Sequence, residues 1–150
     1  MGYYSDVRSI IYGPPDDVLT FWTQHKLAGN AALNDHWLSS GIRRYTVDSG
    51  DGTSVIDLRM DSVKWYPDFT HVDAWMSLLD EIDGESPGTE KLSYEHIEIG
   101  ENNDDLTTRT GGADIQYWLG VSRSIVEDMP PQQKDSTNEQ DAESQSKDAA

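Results

Sequence analysis

The stretch EIGENNDDL (98–106) carries the side chains that most invite a chemical role, because it joins an apolar alternation to two asparagines and two aspartates. A calcium loop needs oxygen ligands at alternating positions, a central glycine and a later bidentate acid. Here Gly100 precedes the polar run, and Leu106 and threonines follow Asp105 where a closing glutamate would be required. Asn and Asp favour turns, since their side chains hydrogen-bond the local backbone. We therefore interpret the stretch as a strand that leaves its sheet through a turn.

Two further patterns are typical of metal sites but are incomplete. The segment DSGDG (48–52) lacks the closing acid of an EF-hand, and its Asp-Gly pair is a strong hairpin signal. Zinc requires three or four convergent ligands, whereas the chain has no cysteine and its histidines are widely spaced. We predict no metal, no cofactor and structural roles for the histidines. They are His25, His36, His71 and His96.

Familiar nucleophile and phosphate-binding motifs are also missing. No serine has a Gly-x-Ser-x-Gly context, and there is neither a Gly-x-x-x-x-Gly-Lys loop nor a Gly-x-Gly-x-x-Gly turn. Acids are so abundant that a pair of carboxylates would arise by chance and carries no information. We therefore predict that the chain has no catalytic residues and is not an enzyme.

Charge is the strongest compositional signal: 28 acids against 11 bases give a formal net charge of −17. Such a surface repels a nucleic-acid backbone, and Arg43 and Arg44 form the only adjacent basic pair, so direct nucleic-acid binding is not predicted. Three interpretations of the acidity stay open. It serves solubility, it is a halophile's surface, or it presents a phosphate-like field to a basic partner.

The predicted location of the protein depends on the absence of signal-peptide and membrane-span patterns from the sequence. Its start, MGYYSDVRSII, has no basic region followed by a long apolar run, and no stretch reaches the ~18 apolar residues of a membrane span. We therefore predict a soluble, cytoplasmic protein that does not bind membranes.

These candidate residues are positioned by a predicted alternation of strands and helices. Two helices on one face of a mainly antiparallel sheet would form an α+β sandwich, a ferredoxin-like βαββαβ arrangement with an additional C-terminal strand. The additional strand is the ambiguous element, and we favour a strand because it is rich in Ile, Val, Tyr and Trp and contains Gly120. The predicted strands are 3–13, 42–47, 53–65, 92–100 and 115–126, and the predicted helices are 15–28 and 69–84.

Two predictions concern exposure. In the strand 53–65, Ile56, Leu58 and Met60 alternate with Asp57, Arg59 and Asp61, which indicates a half-buried strand with one charged face. A set of aromatic residues near strand ends is interpreted either as core or as binding anchors. These are Tyr3, Tyr4, Trp65, Tyr66, Phe69 and Trp118.

The chain divides by composition into an acidic α+β domain, 1–126, and a polar tail, 127–150. After Met129 the tail has almost no large apolar residue, so it cannot bury enough surface to offset the entropy of ordering. We predict that the tail is disordered. With seven acids and two bases the tail has a net charge of −5, which leaves −12 for the domain itself.

Three short motifs carry a resemblance: MGYYSDV (1–7), VKWYPDF (63–69) and IEIGENNDD (97–105). Together they resemble a loosely defined group of small acidic proteins of tailed bacteriophages and prophages. The resemblance spans roughly residues 1–125 and brings no catalytic residues with it. It implies an accessory role in an infected bacterial cell.

The leading hypothesis is a phage accessory protein that binds, and inhibits, a basic nucleic-acid-binding protein through an acidic surface that mimics phosphate. The alternative is a virion or assembly component, or a halophile-adapted domain, whose acidity serves solubility only. The sequence does not indicate the oligomeric state. The predicted contact residues are Asp57, Asp61, Asp80, Glu81, Asp83, Glu85, Glu101, Asp104 and Asp105.

Overall fold

Alternating strands and helices build a five-stranded sheet, its helical layer and a separate hairpin. The computed structural model describes residues 4–27, 36–48, 52–101, 105–122 and 124–132. The strands are β1 (Ser5–Gly13), β2 (Ile42–Val47), β3 (Thr53–Val63), β4 (Ser93–Gly100), β5 (Leu106–Gly112), β6 (Leu119–Ser122) and β7 (Ser124–Glu127). The helices are α1 (Pro15–Leu27), the short α2 (His36–Ser39) and α3 (Thr70–Asp83).

The main sheet has the strand order β2-β3-β1-β4-β5, and each neighbouring pair is antiparallel. β1 is the central strand, and its residues from Val7 to Tyr12, including the charged Arg8, are buried on both faces of the sheet. The prediction of an α+β fold with two long helices and a mainly antiparallel sheet is confirmed.

The two long helices contribute to one hydrophobic cluster with the sheet, the first core. α1 begins at Pro15, whose ring fixes a helical φ, and Asp16 and Asp17 lie at the positive end of the helix dipole. Val18 and Phe21 of α1 enter the first core. α3 contributes a stripe at helical spacing, as its sequence pattern predicts. The buried residues of α3 are Val72, Ala74, Trp75, Leu78, Leu79 and Ile82.

The opposite face of the sheet is covered by the hairpin of β6 and β7, which creates a second core. Trp118 and Leu119 enter this core from the hairpin side, and the rings of Tyr12 and Trp118 lie 4.6 Å apart. The sheet is therefore covered on both faces in its middle. The residues of the second core are Ile10, Tyr12, Val47, Val55, Ile97, Trp118 and Leu119.

The predicted C-terminal strand 115–126 is wrong as a member of the main sheet. Its residues contribute the short strands β6 and β7, which pair only with each other. The strand added beside β4 is β5, whose sequence LTTRTGG has one large apolar residue. Sequence periodicity misses such a strand, because β5 is an edge strand and most of it is exposed.

The predicted charged face of β3 is also wrong at its centre. Asp57 is 1% exposed, because the second core and the residues after β7 cover the face on which its side chain lies. Arg59 and Asp61, further along the same face, are exposed as predicted.

Residues 127–132, which the sequence assigns to the tail, lie against the domain. Met129 packs on the second core, and the Asp48 N–H donates to the Pro131 carbonyl at 2.9 Å. Gln132 forms a β-bridge with Val47. Residues 133–150, the rest of the predicted tail, lie outside the described residues.

These contacts lead to a truncation prediction. Removing 133–150 is expected to leave the melting temperature within about 2 °C, since the polar composition of 133–150 offers nothing to bury. Removing 127–150 is expected to cost at least about 2 kcal/mol, because it takes away Met129 and the carboxylate of Glu127, which lies 2.7 Å from the buried Arg8. Thermal and urea unfolding of both truncations measure this. Equal stability of the two would contradict it.

Candidate functional site

The C-terminal end of α3 and the turn after it carry four acids, here called the α3 acidic cluster. They are Asp80, Glu81, Asp83 and Glu85. The last turn of α3 has no basic residue, so the cluster adds to the negative end of the helix dipole instead of compensating it. Helix stability therefore does not explain the cluster.

Arg109 of β5 reaches the α3 acidic cluster from the sheet. Its Nη2 lies 2.6 Å from Oδ1 of Asp80 and 2.7 Å from Oδ2 of Asp83. The side chains of Asp80 and Asp83 are still 67% and 42% exposed. One guanidinium thus holds the two carboxylates side by side and offsets one of their two charges.

Tyr94 completes this contact beneath the surface. Its hydroxyl donates to Oδ2 of Asp83 at 2.6 Å and accepts from Nε of Arg109 at 2.8 Å. Burial, together with the hydrogen bond to Asp83, raises the pKa of Tyr94 to about 12. The hydroxyl therefore stays protonated near neutral pH and keeps Asp83 and Arg109 in place.

A shallow depression of about 350 Å³ lies between the end of α3 and the end of β5. Asp83, Glu85 and Glu90 contribute acidic side chains to its lining. Glu85 has a φ of 56°, a left-handed conformation that costs a residue with a side chain about 1 kcal/mol relative to glycine. This conformation belongs to the C-terminal cap of α3, in which the N–H of Glu85 donates to the Ile82 carbonyl and the N–H of Ser86 donates to the Glu81 carbonyl.

Three other predicted contact residues lie elsewhere. Ser5 pairs with both Val63 and Gly100, so the start of β1 is flanked by the ends of β3 and β4. Asp61, Glu101 and Asp105 are exposed at this end of the sheet, away from the α3 acidic cluster. The predicted acids therefore form two groups and not one continuous surface. Asp104 lies outside the described residues.

Asp57, predicted as a contact residue, is instead the centre of a buried network. Its carboxylate accepts two hydrogen bonds from Arg8, at 2.9 and 2.8 Å, and one from the hydroxyl of Tyr45. Burial alone would raise the pKa of Asp57, but the bonds from Arg8 and Tyr45 and the charges of Arg8 and Arg43 outweigh burial and lower it. Asp57 is structural and is not available to a partner.

Sequence reasoning missed Glu95, which anchors the segment before the hairpin. It is 2% exposed, and its carboxylate accepts the backbone N–H groups of Trp118 and Leu119 at 3.0 and 2.8 Å and the hydroxyl of Tyr12 at 2.6 Å. The Tyr12 hydroxyl in turn accepts the N–H of Gln116. No local signal marks Glu95, because its partners come from distant parts of the chain.

This anchoring presents Tyr117 to solvent. The backbone N–H groups on either side of it are held by Tyr12 and Glu95, while Tyr117 itself has a φ of 57° and is 69% exposed. A bulky residue in the left-handed region is strained, and such strain is concentrated at functional positions.

Tyr117 borders a groove of about 410 Å³ between β5 and the hairpin, here called the β5 groove. Leu106, Thr108 and Thr110 of β5 line one side, and Leu119 contributes from β6. Leu106 is 48% exposed. The β5 groove and the α3 acidic cluster thus lie on opposite faces of the same edge strand.

A hydroxyl–imidazole–carboxylate array is present, but substrate cannot reach it. Nδ1 of His96 lies 2.9 Å from the hydroxyl of Ser9, and Nε2 lies 2.7 Å from Oε2 of Glu98. Ser9 and His96 are buried, and Nε1–H of Trp75 donates to the Ser9 hydroxyl at 2.8 Å. A nucleophile must be accessible to substrate. We therefore interpret the array as a set of hydrogen bonds that pairs the polar groups buried in the core.

Within the described ranges, no three His, Asp or Glu residues lie close enough together to hold a metal ion. Nε2 of His25 lies 3.2 Å from Oε1 of Glu81, and the side chain of His36 lies outside the described part of the structure.

Of the predicted aromatic set, Trp65 and Trp118 are core residues and Tyr4 is exposed, whereas Tyr3 lies outside the described residues.

None of the helices in the described parts of the chain has the length and apolar character that crossing a membrane requires.

Comparison with known proteins gave no match, whether to a family model, a curated protein or a solved structure.

Proposed function

We propose that this chain is a non-enzymatic accessory protein that binds and inhibits a basic, nucleic-acid-binding protein. The observation that carries the proposal is the α3 acidic cluster: four acids at the negative end of a helix dipole, two of them paired side by side and exposed. Paired carboxylates suit the guanidinium and ammonium groups with which nucleic-acid-binding proteins contact phosphate. The net charge of −17 would steer such a partner toward the chain.

The depression beside the cluster suits a single lysine or arginine side chain. Asp83, Glu85 and Glu90 contribute three carboxylates to its lining, which favours a cationic side chain. Asp61, Glu101 and Asp105 would serve as a second, peripheral group that mainly affects the association rate.

The setting we propose is the cytoplasm of a bacterial cell infected by a tailed phage, and it rests on the resemblance of the three sequence motifs. For the fold, we propose that β1 to β4 with α1 and α3 are a variant of the ferredoxin-like plan to which β5 and the hairpin are additions. The alternation of elements and the central position of β1 support this relation.

A charge-reversal pair tests the proposed function. Reversing Asp80 and Asp83 would place cations against Arg109 and disturb the fold, so the sharper variant is Glu81→Lys with Glu85→Lys. Asp48→Lys with Asp68→Lys is the matched control, because it makes the same change in charge at exposed sites outside the cluster. We expect the test variant to lose about tenfold in affinity at low salt, and the control less than about threefold.

The measurement is a pull-down from nuclease-treated bacterial lysate at about 50 mM and about 300 mM salt, followed by titration of the purified captured protein. Basic nucleic-acid-binding proteins should be retained by wild type and control, and wild type should displace labelled DNA from them. Equal retention by both variants with no displacement of DNA would contradict the proposal. It would favour the alternative, an assembly component whose acidity serves solubility.

A further inference from the structure

The two edges of the main sheet differ in how they are protected. At the β2 edge, the exposed Arg44 adds charge, and the chain from Pro131 to Gln132 hydrogen-bonds the end of the strand. β5 contains no proline or lysine, and in the described parts of the chain no strand pairs with its outer side. Its one charge, Arg109, is directed to Asp80 and Asp83. Natural proteins usually block a free edge, so an unblocked edge calls for a function.

The hydrogen-bond register shows which backbone groups of β5 face outward. The Gly100 N–H donates to the Asp105 carbonyl, and the Ala113 N–H donates to the Leu92 carbonyl. In an antiparallel ladder, alternate residues bond the same neighbour, so the odd-numbered residues from 105 to 113 face β4. The N–H and C=O groups of Leu106, Thr108 and Thr110 therefore face away from the sheet.

The side chains beside this edge divide by face. On the hairpin face, the β5 groove offers Leu106, Leu119 and the exposed, strained Tyr117. On the helix face, a strand added to β5 would meet Asp80 and Asp83, which Arg109 holds above β5. Because successive residues of a strand alternate between faces, the added strand would place one set of side chains in the groove and the other against the acids.

We propose that β5 is a docking edge to which the partner adds an extended segment in which apolar side chains alternate with basic ones. Backbone hydrogen bonds to β5 hold the segment, the β5 groove takes its apolar side chains, and the α3 acidic cluster takes its basic ones. The basic half of this pattern rests on the proposed function. A second copy of the chain is the poorer occupant, because it would bring the same acids against the cluster.

One substitution tests the outward-facing backbone of β5 without changing the net charge of the chain. Thr108→Pro deletes an outward-facing N–H and leaves the bonds between β5 and β4 intact, which is the position in an edge strand where proline is tolerated. Thr108→Val is the matched control, since it keeps the N–H and the β-branched shape. Circular dichroism and thermal unfolding show whether both variants fold.

Tyr117→Gly is a second, independent variant. Glycine accepts a positive φ, so this change relieves backbone strain and is expected to raise the melting temperature while weakening docking. A residue retained only for stability would not produce opposite changes in these two measurements.

The probe is a capped peptide of alternating lysine and valine, matched to the seven residues of β5 and titrated into the full chain by NMR. We expect slowed amide exchange at Leu106, Thr108 and Thr110, at least about tenfold weaker binding to Thr108→Pro and Tyr117→Gly, and less than about twofold change for Thr108→Val. A glutamate–valine peptide should not bind. Equal binding to Thr108→Pro and wild type, or protection of β5 that grows with protein concentration in the absence of peptide, would overturn the docking edge.

The partner captured in the pull-down separates the two proposals. If it binds Thr108→Pro like wild type but loses affinity for the Glu81→Lys, Glu85→Lys variant, strand addition is overturned and the acidic contact stands. If Thr108→Pro weakens binding while charge reversal does not, β5 is the docking edge and the proposal of a basic partner is overturned.

Discussion

Replacing Trp75 with alanine is expected to lower the free energy of unfolding by about 3–5 kcal/mol. Trp75 is fully buried in the first core, and its Nε1–H donates to the hydroxyl of Ser9. The substitution therefore leaves a cavity between α3 and the sheet and also removes the donor to Ser9, which remains hydrogen-bonded to His96. Urea unfolding monitored by circular dichroism measures the loss.

Trp75→Phe separates packing from hydrogen bonding, since it keeps most of the ring volume but has no N–H group. We expect its cost to be less than half that of Trp75→Ala. A near-neutral Trp75→Ala would contradict the buried position of α3, and equal costs for both variants would assign the effect to the Ser9 hydrogen bond.

Replacing Asp57 with asparagine is expected to cost about 3 kcal/mol at neutral pH, because it leaves the guanidinium of Arg8 buried without its main counter-charge. Glu127, 2.7 Å from Arg8, compensates in part. Asp61→Asn, four positions further along β3 and exposed, is the matched control and is expected to change stability by less than about 0.5 kcal/mol.

The effect of Asp57→Asn is also expected to depend on pH. The pKa of Asp57 in the folded state lies below its ordinary value of 3.8. A lowered pKa stabilises the fold above the unfolded-state value, and this contribution is lost as the pH falls through the folded-state value. The difference between wild type and Asp57→Asn should therefore be full at about pH 7 and shrink as the pH falls below 3.8. A difference that grows on acidification would contradict this assignment.

Interactions between residues close together in the chain determined several features of this protein. The apolar stripe of α3 has helical spacing over four turns, and the prolines and acids before Val18 start α1 at the predicted position. The net charge follows from composition alone, and it weighs against contact with a nucleic-acid backbone whatever the fold. These features depend on residues close together in the chain, so their patterns can be read without tertiary contacts.

Tertiary structure decided which patterned faces are covered. Alternation along β3 shows that Asp57, Arg59 and Asp61 share a face, but only the packing of the hairpin and Met129 buries Asp57 and leaves its neighbours exposed. Likewise, only the fold brings Arg109 to the α3 acidic cluster and Glu95 to the backbone of Trp118. Periodicity specifies which side chains share a face, whereas burial depends on segments far away in sequence, and a single chain carries no local signal for those contacts.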